Sequence, residues 1–190
     1  MTQDFIRQSL AGLKVLLVMT VILGIAYPAA VWGAGQTVFH DKANGQVLAH
    51  DGTDRGSAII GQKFTGDEWF HGRPSTSDHD GLASGASNLG PSNPDLLKAI
   101  EQRQREIAKA ENVQASQIPP DAVTASASGL DPYISPEYAA LQVGRVATER
   151  HLSRAVVQRL VREHTSGRQL GFLGQPRVNV LELNLALDDR

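Results

Sequence analysis

Histidines, carboxylates and serines are the residues here whose spacing bears on chemistry. There are six histidines and no cysteine. His71 and His79 stand near Asp78 and Asp80, the one stretch where potential metal ligands gather. A structural or catalytic metal wants a second pair at ligand spacing, and none accompanies them. A solvated loop is therefore the stronger reading. A loop serine paired with His71 or His79 would describe a membrane-anchored periplasmic hydrolase, but no G-x-S-x-G elbow supports one. A phosphate cradle of the form GxxxxGK[ST] is missing, and no GxGxxG follows a strand and opens a helix. The phospho-aspartate sequence DKTGT is missing too. No residue is assigned a catalytic role and none is assigned to a metal, so the chain reads as a non-enzyme.

The elements that position these residues are legible in part. The chain carries 18 basic and 20 acidic residues, and only 5% of it is aromatic. That balance, without a basic patch interleaved with aromatics, argues against a nucleic-acid partner. Gln36 to Arg55 is polar and reads as a linker or peripheral strands. Ser57 to Phe64, bounded by Gly56 and Gly66, is expected to be a strand. Gly72 to Pro94 and Asp121 to Ser135 are long loops, and connections of such length commonly line an interface. Asn93-Pro94-Asp95 and Ser135-Pro136-Glu137 both place a capping residue, an N1 proline and an acid at a helix start. The first helix runs to about Asn112 and the second to about His151. Ser153 caps a third, which ends before Gly167. Val178 to Leu187 alternates leucines with other residues and is expected to be a half-buried strand. The expected fold is α/β: one N-terminal transmembrane helix, then one mixed domain of a small sheet and about three helices.

Everything hangs from Val15 to Trp32. Its eighteen residues hold no charge and nine Leu, Ile or Val side chains. Those nine favour the membrane by roughly 3–5 kcal/mol. Starting at Leu10 gives the length of a ~30 Å hydrocarbon core, with Lys14 snorkelling to the headgroups. Tyr27 and Trp32 suit the far interface. A cleaved signal peptide would have a shorter apolar core and a better cleavage site than Gly33-Ala34-Gly35. Arg7 and Lys14 precede the span, and no Lys or Arg follows it before Lys42. The positive-inside rule then puts the N-terminus in the cytoplasm and the body outside. The expected division is 1–34 for the cytoplasmic N-terminus and anchor, and 35–190 for the extracytoplasmic domain. Ala26, Ala30 and Ala34, with Ala29 and Gly33, make small-residue ridges along the span.

Four segments in order carry a family resemblance. They are Gly56-Ser57 through Gly61-Gln62-Lys63-Phe64, then Trp69-Phe70-His71-Gly72-Arg73-Pro74-Ser75 continuing through Ala83 to Pro94. The third is Val123-Thr124-Ala125-Ser126-Ala127-Ser128-Gly129-Leu130-Asp131-Pro132-Tyr133-Ile134-Ser135-Pro136, leading to Gln142 and Arg145. The last is Gly174-Gln175-Pro176-Arg177-Val178-Asn179-Val180-Leu181 with Leu183-Asn184. Together they resemble the C subunit of the bacterial high-affinity potassium-transporting P-type ATPase, the Kdp complex, over essentially the whole chain. Ala86 and Ala127 stand where glycine is more typical of that family.

The resemblance implies an accessory subunit in the bacterial inner membrane. Partner chains would supply the potassium pore, the ATP-hydrolysing subunit and a small stabilising peptide. It also implies a catalytic chaperone that raises the ATP affinity of the ATP-hydrolysing subunit. In that picture ATP is contacted transiently, and the nucleotide contact falls on Gln142. By its position, Gln142 shares a polar stripe with Tyr138, Arg145 and Glu149, opposite Ala139, Val143, Val146 and Ala147. That placement reads equally as a solvated or interface glutamine, because an isolated Gln makes no phosphate site. A body outside the cell also meets no cytoplasmic ATP. The alternative is a structural subunit capping the extracellular mouth of the pore, docked through the loops Gly72–Pro94 and Asp121–Ser135.

Overall fold

The computed structural model describes residues 2–190. It separates into two units, Met1–Gln46 and Val47–Arg190.

The first unit is built on one apolar helix spanning Thr2–Val38, 37 residues with none buried. At 1.5 Å per residue it is about 55 Å long, more than a ~30 Å hydrocarbon core requires. It runs as α1 (Thr2–Val21), a π turn (Ile22–Ala26) and α2 (Tyr27–Val38). The π turn has a local cause. Pro28 has no N–H to return to the previous turn, and the Tyr27 N–H reaches back to the Ile22 carbonyl instead. The Thr20 hydroxyl donates to the Leu16 carbonyl at 2.8 Å, which keeps its polar group satisfied within the helix. A short α3 (His40–Ala43) follows. Asn44 closes it, donating to the His40 carbonyl at 2.7 Å and bonding to the Gln36 amide.

The second unit is mixed α/β. A hairpin of β1 (Val47–His50) and β2 (Thr53–Ser57) turns at Asp51-Gly52, both at positive φ, the pair a tight hairpin demands. After the long loop comes α4 (Pro94–Glu111), started by the Asn93 side chain accepting the Asp95 N–H at 2.8 Å. The single turn α5 (Pro120–Val123) and β3 (Tyr133–Ile134) lead into α6 (Pro136–Glu149) and α7 (Arg154–Glu163). The hydroxyls of Ser135 and Ser153 cap these last two. β4 (Thr165–Ser166), β5 (Arg177–Asn179) and α8 (Val180–Asp188) complete the chain. The second sheet is antiparallel in the order β3-β5-β4. Phe70, Val146, Val157, Leu160, Val178, Leu183 and Leu187 form the centre of the core, each at most 2% exposed.

The α/β class and the three capped helices agree with the sequence. Two expected strands do not. The strand expected over Ser57–Phe64 ends where it was to begin. Ile60 N–H turns back to the Ser57 carbonyl, and Ile59 and Ile60 lie at the surface. The chain must turn there so that Gly61 can lie against the backbone of Leu130 and Asp131. Its N–H donates to the Leu130 carbonyl at 2.8 Å, and a Cβ at that position would sit 2.5 Å from the Asp131 carbonyl oxygen. The leucine alternation over Val178–Leu187 is helix from Val180 onward. The Asn179 side chain accepts the Glu182 N–H, and Val180, Leu183, Asn184 and Leu187 are buried. That set has helical spacing. The leucines at every second position spread round the helix, leaving Leu185 half-buried.

Candidate functional site

Residues Gly66 to Trp69 make a turn and Phe70 to Ser75 run on outside any sheet, so the backbone groups of this segment must be satisfied otherwise. Two buried side-chain amides do this. Gln142 on α6 accepts the His71 N–H at 2.7 Å and donates to the His71 carbonyl at 3.1 Å. Asn184 on α8 accepts the Phe70 N–H at 2.9 Å and donates to the Phe70 carbonyl at 3.0 Å. Each amide thus imitates one residue of a neighbouring strand, and the two read consecutive residues from two helices. Phe70, held between them, is fully buried.

Arg145, one turn after Gln142, extends the clamp. It donates to the carbonyls of Asp67 and Trp69, to Gln142 Oε1 at 2.9 Å, and to Glu111 Oε1 on α4 at 2.8 Å. The Arg145 and Glu111 side chains are 6% and 4% exposed, so this is a buried ion pair. Burial pushes the Glu111 carboxyl up, Arg145 pulls it down, and the net shift is upward. Burial, then the Arg145 charge, holds His71 below its ordinary value. Its neutral ring donates from Nε2 to the Gly66 carbonyl at 2.9 Å. Arg150 completes the assembly. It donates to the Glu68 carbonyl, pairs with Asp188 at 3.1 Å and lies 4.0 Å over the Trp69 ring.

The two long loops pack on each other above this clamp. Pro74 accepts from Ser126 N–H, and Gly85 N–H and the Ser84 hydroxyl both donate to the Ser128 carbonyl. Gly129, at φ +71°, leaves no room for a side chain, because a Cβ would lie 2.6 Å from Ser77 Oγ. Arg73 pairs with Asp131 at 3.0 Å. The Asp121 carboxylate accepts the backbone and hydroxyl hydrogens of Ser135, tying the second loop to the start of α6. Two clefts open beside this pairing. One of about 710 Å³ is lined by Arg73, Asp131, Tyr133, Gln175, Pro176 and Arg177. The other, of about 420 Å³, shares Arg73, Asp131 and Tyr133 and adds Ser126 and Ser128.

The polar-stripe reading of α6 needs correcting. Tyr138 and Gln142 are buried rather than solvent-facing, at 5% and 0% exposure, and only Glu149 of that stripe is exposed. The α4 helix and the Gly66–Ser75 segment cover the polar side, which spacing within α6 alone does not reveal. Gln142 presents no free polar atom, so a nucleotide contact there would first have to break its bonds to His71. His71 and His79 do not converge on a metal or a serine. Asp78 pairs with Lys63 at 2.7 Å, and Asp80 accepts the Leu82 N–H. Among the described residues no group of three potential metal ligands forms, and no serine hydroxyl bonds to a histidine ring. Glu111 and Arg150 escape the sequence, and Asn184 enters it only within the last resemblance segment, with no role attached. Its signal is an amide set among the leucines of Leu181–Leu187.

The segments that meet at these loops are those marked by family resemblance, and comparison with known proteins agrees. The family model described as K+-transporting ATPase, c chain (KdpC), matches residues 9–189. A Kineococcus radiotolerans protein is 54% identical over 186 residues, covering 97% of this chain and 94% of its own length. A Mycobacterium tuberculosis H37Rv protein is 53% identical over 185 residues, covering 96% and 98%. One from Koribacter versatilis is 50% identical over 173 residues, covering 90% and 89%. All three are named potassium-transporting ATPase KdpC subunit. With the match running through most of both units, the chain belongs to the KdpC family, the c chain of K+-transporting ATPases.

Proposed function

We propose that this chain is a single-span accessory subunit of an ATP-driven potassium uptake pump, and that it performs no chemistry of its own. The observation that carries the reading is where the polar side chains of the body are spent. Gln142, Asn184 and Arg145 all hold one backbone segment, and Glu111 holds Arg145. Such an arrangement shapes a surface rather than attacking a substrate. The apolar helix Thr2–Val38 is the anchor, and the flanking charges favour a body outside the inner membrane. The paired loops Gly72–Pro94 and Asp121–Ser135 are the docking surface for the potassium-pore subunit.

The catalytic-chaperone role follows the same logic. A body outside the membrane has no ATP to share with the ATP-hydrolysing subunit, so it acts on ATP affinity indirectly, by favouring the conformation that binds ATP. The burial of Gln142 supports that route over direct nucleotide contact. A reporter fused after Arg190 tests the sidedness: activity outside is expected, and activity only in the cytoplasm refutes it. Purification of the tagged chain together with the ATP-hydrolysing and pore subunits tests the accessory role. A chain that purifies alone from a host expressing all of them would end it.

A further inference from the structure

We infer that the hairpin Arg168–Gln175 is a knob by which the body docks onto another polypeptide of the pump, one with an apolar pocket rimmed by carboxylates. The inference rests on the accessory-subunit reading and adds a surface to it. Leu170 and Phe172 are 82% and 68% exposed, and Leu173 is half exposed. Together they form a contiguous apolar tip of the kind that soluble surfaces avoid unless it is used. The tip is preformed. Gln169 and Leu173 exchange both backbone hydrogen bonds at 2.9 Å, and Arg168 donates to Gln175 Oε1 at 2.8 Å across the neck. Leu170 and Gly171 are at φ +52° and +81°, the positive-φ pair of a tight turn, with a leucine at a position such turns seldom give to one. A rigid apolar knob loses little entropy on docking.

Charge and shape choose the occupant. No Asp or Glu occurs between Glu163 and Glu182, while Arg168 and Arg177 bracket the tip. Neither arginine has a carboxylate partner among the described residues, and Arg177 is instead stacked 4.2 Å over Tyr133. In a chain of net charge −2 this is a cationic, apolar stretch that suits an acidic rim. A lipid surface would satisfy the tip and the arginines but not their surroundings. The exit arm, Gln175 to Arg177, is one wall of the 710 Å³ cleft, whose other walls include Asp121 and Asp131. That cleft is concave and charge-balanced, with Arg73 and Arg177 against Asp121 and Asp131, and a protruding knob beside such a hollow matches a folded protein surface better than a flat bilayer.

The absence of cysteine makes the test specific. Phe172→Cys, labelled with a benzophenone photo-crosslinker, is assembled into the purified pump in a lipid nanodisc. The expected result is a crosslink from position 172 to another polypeptide of the pump, with none from Lys109→Cys on the exposed side of α4. Crosslinking only to lipid, or to nothing, in a pump that has assembled overturns the inference and leaves the accessory role standing. If the unmodified chain does not co-purify with the pump, the accessory role falls and this inference with it. In a second arm, Phe172→Asp with Arg177→Glu is expected to lower retention of the chain about tenfold, as loss of a central anchor does. Unchanged retention overturns it equally.

Discussion

Replacing Gln142 with leucine tests the clamp most directly. The substitution keeps volume and helix propensity but removes three hydrogen bonds at a fully buried position. The His71 N–H and carbonyl lose their partner, and one Arg145 N–H loses its acceptor. Each polar group left unsatisfied costs about 1–3 kcal/mol. His71 is only partly buried, so the lower half of the range applies to its two groups. The sum is about 3–7 kcal/mol, a large share of the ~5–15 kcal/mol that holds a domain folded. In a domain of this size that corresponds to a Tm lower by about 10–20 °C. Gln142→Glu should do nearly as much harm. It preserves the acceptor for His71 N–H and Arg145 but sets a carboxylate oxygen against the His71 carbonyl. The assay is thermal unfolding of the full chain in detergent, beside the ATP dependence of the assembled pump measured where both forms stay folded. An unfolding midpoint within about 2 °C of the parent would refute the clamp. So would an altered ATP dependence with unchanged unfolding, which would place the work of the amide outside the domain.

Further outcomes follow from the same geometry. Arg145→Lys is expected to lower stability by about 3–5 kcal/mol, since an ammonium cannot replace the fork and leaves Glu111 poorly paired in a buried site; denaturant unfolding measures it, and a loss below about 1 kcal/mol contradicts it. Gly61→Ala and Gly129→Ala should each destabilise by about 1–3 kcal/mol, and Gly129→Ala should also speed proteolysis within residues 72–94 by separating the paired loops. Equal cleavage rates would mean the loops do not depend on that contact. His71 is held neutral, so the unfolded chain binds its proton more readily. Its contribution is complete above about pH 6.5 and is lost as pH falls toward the lower folded value. His71→Gln should therefore flatten the fall in stability below pH 6.5, where an unchanged slope assigns that fall to other groups. Glu111 runs the other way. Its folded value is raised, so its carboxylate opposes folding at neutral pH and that opposition lifts as pH falls through the folded value.

Local rules decided much of this protein. The apolar helix, the caps at Asn93, Ser135 and Ser153, and the α/β class need only hydropathy and the bonding of a few neighbouring residues. The family membership likewise rested on order and identity along the chain. What required the tertiary structure was every feature in which distant segments satisfy one another. Val180 to Asp188 folds as a helix because Asn184 must meet Phe70, more than a hundred residues away, while its leucines reach the core. Gln142 looks like a surface residue on its own helix and becomes fully buried once the Gly66–Ser75 segment lies across it. A backbone without a sheet partner must find its hydrogen bonds elsewhere, and which side chains supply them is a property of three-dimensional proximity, which sequence spacing does not encode.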